Sequence, residues 1–144
     1  MVNLKLVDAF AKYGATPAHR LHSRSAIASD GSLVLGCSSV RFQHPSPGVL
    51  RYEDTVPQDP ERESEAAQLG EHLTKARGDN LVVRMIVIVE KAQPQGGTTR
   101  EVHIRTDLVG KVTKFDGQHY IVDFVRSGSP QEAARNLKQK ALAT

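Results

Sequence analysis

The feature that most constrains this chain is the run Leu81–Val89, LVVRMIVIV, a dense block of apolar, mostly β-branched residues interrupted only by Arg84. Leu81, Val83, Met85, Val87 and Val89 recur with period two, and Val82, Ile86 and Ile88 fill most of the positions between them. A segment apolar on both faces belongs at the centre of a sheet covered on both sides. Its β-branched side chains argue against a helix of the same length. The sequence that follows continues the pattern. Gln93–Gly97 carries Pro and paired Gly, a loop signal, and Thr99–Thr106 alternates Val102 and Ile104 with Glu101, His103 and Arg105. Val112–Phe115, Asp116-Gly117 and Gln118–Val125 then form a hairpin pattern. A type I′ turn is expected at Asp-Gly, because such a turn needs positive φ at both central residues.

The rest of the chain supplies further strands and cover for this sheet. Ser25–Ser29, Asp30-Gly31 and Ser32–Phe42 repeat the hairpin logic, with Leu33, Leu35 and Cys37 on one face. A bend near Ser38-Ser39 would bring Val40 and Phe42 onto that same face. His44–Gly48 reads as a rigid connection, Val49–Tyr52 as a short returning strand, and Glu53–Pro60 as an acidic surface linker. Asp59 is expected to cap a helix over 60–77, with Pro60 in its first turn, Leu69 and Leu73 on its buried face and Gly78 at its stop. Leu6, Phe10 and Tyr13 mark a shorter helix over Asn3–Tyr13, ended by Gly14. Ser129–Glu132 is a capping-box pattern opening a basic helix from Pro130 to about Ala141 in a loosely docked tail over 127–144.

The fold class expected is therefore a single α+β domain over 1–144. It is a mostly antiparallel sheet of about six or seven strands, open to curling, with two or three helices packed on it. A chain of 144 residues is long enough to bury one real core, and without tryptophan that core is mainly aliphatic. No apolar run reaches the length needed to span a bilayer, and the N-terminus has no signal-peptide pattern. One cysteine cannot form an internal disulfide, which fits a reducing, cytoplasmic compartment.

Few motifs carry chemistry. Gln95-Gly96-Gly97 is not followed by Lys-Ser/Thr, so there is no phosphate-cradling loop, and there is no nucleophile elbow and no zinc-spaced Cys/His set. Cys37 reads as a small buried hydrophobe rather than a nucleophile. No catalytic residue, metal ligand or cofactor is therefore assigned. Glu101 and His103 on one strand, with His119 and Asp123 on another, would suit a metal-dependent hydrolase only if the two strands were neighbours.

The charge pattern is more informative. The net charge is +3, but the first fifty residues are basic on balance while 51–80 are acidic. Lys12, Arg20, His22, Arg24, Arg41 and Arg51 form a basic constellation of the kind that contacts phosphates, with Tyr13, Phe42 and Tyr52 as nearby aromatics. The reading that follows is a small non-catalytic nucleic-acid-binding module, an accessory to DNA processing. The alternative is a protein-interaction or adaptor domain using an exposed strand or the C-terminal helix.

Overall fold

The computed structural model of the protein describes residues 5–17 and 23–126. The element order is α1 (Leu6–Lys12), β1 (Ser25–Ile27), β2 (Leu33–Ser38), a 3-10 turn (Ser39–Arg41), β3 (Phe42–Ser46) and β4 (Val49–Thr55). A second 3-10 turn (Pro60–Arg62) leads into α2 (Glu63–Gly78), followed by β5 (Val83–Ala92), β6 (Thr98–Ile104), β7 (Leu108–Phe115) and β8 (His119–Arg126). The eight strands form one mixed, mainly antiparallel sheet in the order β1-β2-β5-β7-β8-β4-β3, with β6 also paired to β5. The path has two ends, β1 and β3, and does not close on itself. The fold is α+β, as the hydrophobic patterning predicts, with one strand or two more than expected. The expected C-terminal helix lies outside the described residues.

The strand β5 is central for the reason its composition suggests. It pairs in parallel with β2 on one side and antiparallel with β6 and β7 on the other. Val83 and Met85 enter a core with Leu33, Leu35 and Cys37 of β2, Leu69, Leu73 and Ala76 of α2, and Tyr120, Val122 and Phe124 of β8. Ile86 and Ile88 point the other way, into a second core with Leu6, Ala9 and Phe10 of α1, Val34 and Val102. The two helices therefore cover opposite faces of the sheet. The polar break in the run, Arg84, stacks its guanidinium 4.8 Å over the ring of Tyr13, a cation–π contact that keeps a charge inside the α1 side of the sheet.

The turns differ in detail from expectation. In the β1–β2 hairpin Ala28 N–H donates to Ser32 O, and of the loop residues only Gly31 has positive φ. That is a three-residue loop rather than a type I′ turn. In the β7–β8 hairpin Asp116 N–H donates to His119 O, so the central pair is Gly117-Gln118, and only Gly117 has positive φ. The side chain of Asp116 instead accepts from the N–H groups of Gln118 and His119. Asp59 gives no side-chain cap: its carbonyl accepts from Arg62 N–H in the 3-10 turn. Gly78 falls within α2, and the left-handed residue beyond the helix is Asn80.

The turn at Ser39–Arg41 brings Phe42 against the core but leaves Val40 82% exposed, contrary to the expected return of both to one face. A 3-10 turn rotates successive side chains by about 120°, so two residues of like parity no longer share a face.

Cys37 is fully buried, and burial pushes its thiol well above the usual range. We expect a thiol reagent to modify the native protein slowly and the urea-unfolded protein fast, because the thiolate is the reacting species and needs access. Equal rates in the two states, followed by dye release at a fixed wavelength, would place Cys37 at the surface.

Candidate ligand cleft

A cleft of about 890 Å³ opens beyond the carboxyl end of β2, where the chain turns away toward β3 and where α2 begins. Its lining draws on separated parts of the chain: Ser23 and Arg24 ahead of β1, Ser38, Val40 and Arg41 after β2, and Asp54 and Thr55 at the end of β4. Glu61 and Arg62 come from the second 3-10 turn, Glu65 from the first turn of α2, and Ile88, Glu90 and Arg100 from β5 and β6.

The floor is a charge cluster built on Arg24. Its side chain is 21% exposed, and its guanidinium sits between two carboxylates, with Nη1 3.7 Å from Asp54 Oδ2 and Nε 3.7 Å from Glu65 Oε1. Burial works against its positive charge, but Tyr52, Tyr120, Asp54 and Glu65 outweigh that and raise its pKa above the ordinary value. Each carboxylate is itself held. Tyr52 donates its hydroxyl to Asp54 Oδ2 at 2.5 Å, and Thr55 N–H donates to Asp54 Oδ1 at 2.8 Å. Arg62 grips Glu65 with two N–H donors, Nε to Oε2 at 3.1 Å and Nη2 to Oε1 at 3.0 Å. The Tyr52 hydroxyl also accepts from Ser38 N–H at 3.0 Å, tying β4 to the end of β2. Burial, with Cys37, Tyr120 and Asp54 nearby, raises the Tyr52 pKa, so it remains a hydrogen-bond donor throughout the physiological range. These contacts fix the orientation of the floor.

The cleft includes only part of the basic constellation. Arg24 lies on its floor and Arg41 at its rim, 60% exposed, with Nε 4.0 Å from Asp54. Arg51 alternates with Tyr52 along β4, so it projects from the opposite face of the sheet. There it makes a two-point pair with Asp123 on β8, at 2.8 and 3.1 Å. Lys12 sits in the last turn of α1 and is not part of the cleft lining. Arg20 and His22 lie outside the described residues.

The residues that could have made a metal site also separate. Glu101 and His103 lie on β6, where Glu101 takes Lys91 at 3.0 Å and His103 at 3.4 Å. On β8, His119 pairs with Glu53 at 2.8 Å, and Asp123 is engaged by Arg51. The strands β6 and β8 are not neighbours, and among the described residues no group of three or more His, Cys, Asp or Glu could hold a metal ion.

Asp54, Arg62, Glu65 and Arg100 are the cleft residues that sequence patterning did not assign to a site. Asp54 reads as linker because charged residues beside Pro57 and Pro60 resemble a surface segment, yet β4 extends to Thr55 by pairing with β8. The local signal for Glu65 is its place with Ala66 and Leu69 near the apolar stripe of α2. The Arg62–Glu65 spacing is a helical i,i+3 pair.

Acidic and basic side chains are equal in number over the described residues, so the net positive charge is carried by segments 18–22 and 127–144. No helix among the described residues is long and apolar enough to cross a membrane. No protein-family model, curated protein or solved structure matches the chain.

Proposed function

We propose that the protein is a non-catalytic binding module that takes single-stranded nucleic acid into this cleft, with phosphates held at the arginine rim. The observation that supports the reading is the convergence of four arginines, Arg24, Arg41, Arg62 and Arg100, on one concave surface from four separate segments. Arginine offers paired donors in a fixed fork, which suits phosphate oxygens better than a point charge does. The cleft volume is that of a ligand pocket, enough for one or two nucleotides and too confined for a duplex. Arg24 and Arg41 are kept from the basic constellation, whereas the pairing of Arg51 with Asp123 on the opposite face removes it from the phosphate-binding set.

Because Asp54 and Glu65 neutralise part of the floor, the phosphate contacts are few. Binding of a short single strand should weaken with salt at a slope of about 0.7 logarithmic units per phosphate contact. Arg41→Ala and Arg100→Ala should each flatten that slope by about one contact, for every base sequence alike. The measurement is fluorescence anisotropy of labelled DNA and RNA oligonucleotides over a salt series. Absence of binding at low salt would replace this reading with the adaptor reading. The balanced charge of the described body favours that second reading, since it suits a polypeptide partner of mixed charge.

A further inference from the structure

We propose that the floor of the cleft reads a single unpaired guanine base; the proposal rests on the nucleic-acid reading above. A floor that served only to neutralise phosphate would be uniformly basic. Here one recessed guanidinium lies between two carboxylates, both at 3.7 Å, too far for direct hydrogen bonds. The guanidinium makes no hydrogen bond to any described residue. Asp54 and Glu65 each use their oxygens for one partner apiece, Tyr52 and Thr55 for the first and Arg62 for the second. A carboxylate oxygen has two lone pairs, so both acids keep acceptor capacity. The floor thus presents donors and acceptors side by side, pre-set in orientation.

Guanine is the base whose edges complement that arrangement. It carries two adjacent donors, N1–H and the 2-amino group, that a carboxylate can accept together. It also carries two adjacent acceptors, O6 and N7, that match an arginine fork. Adenine and cytosine would set a ring-nitrogen lone pair beside the carboxylate next to their amino group, and uracil or thymine offers one N–H flanked by carbonyls. Each of these leaves a recessed polar group of the site unpaired, which is how a hydrogen-bonding site rejects the wrong ligand.

The walls suit a flat ring. Leu6, Pro57 and Ile88 line the cleft beside this polar floor, and Val40 stands at it 82% exposed, the one large hydrophobic side chain so exposed among the described residues. A base entering the cleft would cover it.

The test uses the full chain and labelled thymidine oligonucleotides carrying one central guanine, hypoxanthine or 7-deazaguanine, or none. Hypoxanthine lacks only the 2-amino donor and 7-deazaguanine only the N7 acceptor, so the ligand is changed while the protein is left intact. One guanine should tighten binding about tenfold over thymidine alone, and each analogue should lose most of that gain. Asp54→Asn, which exchanges one acceptor oxygen for a donor, should lower the guanine preference, with a thermal melt confirming that the variant folds. Equal affinity for guanine and hypoxanthine, or salt-dependent binding without base preference, overturns this inference and leaves the arginine rim standing. No binding of any strand at low salt overturns both.

Discussion

Truncation of Leu73 to alanine should lower the free energy of unfolding by about 2–4 kcal/mol. Leu73 is fully buried and lies with Leu69 and Ala76 on the face of α2 that packs on the sheet, over β7 and β1, and enters the main core. Removing its branched end takes away transfer free energy and leaves a cavity, because neighbours held in the sheet cannot all move in to fill it. Urea denaturation checks this. The midpoint should fall while the slope stays constant, since the surface exposed on unfolding hardly changes. Glu71→Ala on the exposed side of the same helix should shift stability by less than about 0.5 kcal/mol. A comparable loss from both substitutions would mean that α2 does not pack through this face. The cleft depends on that packing, since Glu65 lies in the first turn of α2 and Arg62 caps the helix just before it.

A second large effect is expected at Gly110, for the opposite reason. A Cβ there would lie 2.7 Å from Phe124 Cδ1, 2.9 Å from Cε1 and 2.8 Å from the backbone oxygen of Asp123. The ring belongs to a fully buried side chain and the oxygen to the paired strand, so neither can retreat without displacing β7 from β8. Overpacking of this kind costs about 1–3 kcal/mol, and Gly110→Ala should fall toward the upper end. The position has a further burden. Val83 and Gly110 form the single register pair joining β5 to β7. Amide exchange should therefore show faster opening along β7 and at the start of β5, with β5–β6 pairing protected as before. Unchanged stability would show that the two strands sit farther apart at this point.

Much of the architecture is written locally. The run through Val83–Ile88 demands cover on both sides, and no other segment could serve as the centre of the sheet. The spacing of Leu69, Leu73 and Ala76 marks one face of a helix, and the parity of Cys37 with Leu33 and Leu35 places the thiol in the core. Each of these is a periodicity of apolar side chains, and burial follows from it because removing apolar surface from water is favourable wherever the partner lies.

The cleft is of another kind. Arg24, Asp54 and Glu65 carry no periodic signal that distinguishes them from solvated surface residues, and nothing in a local window says that one guanidinium will lie between those two acids. Proximity along the chain groups Arg24 with Arg51, but the pleat of β4 sends Arg51 to the face opposite Tyr52, where Asp123 of the adjacent strand meets it. The same pleat, with the extension of β4 to Thr55, turns Asp54 inward. Apolar residues announce their own burial, whereas a charged residue can be buried only when another segment supplies its partner. The sequence by itself therefore determined the fold class, the central strand, the buried faces of α1 and α2 and most of the core. Only the tertiary structure decided which charges meet, because that depends on strand order and register, through which β1, β4 and α2 bring three separated segments to one end of the sheet.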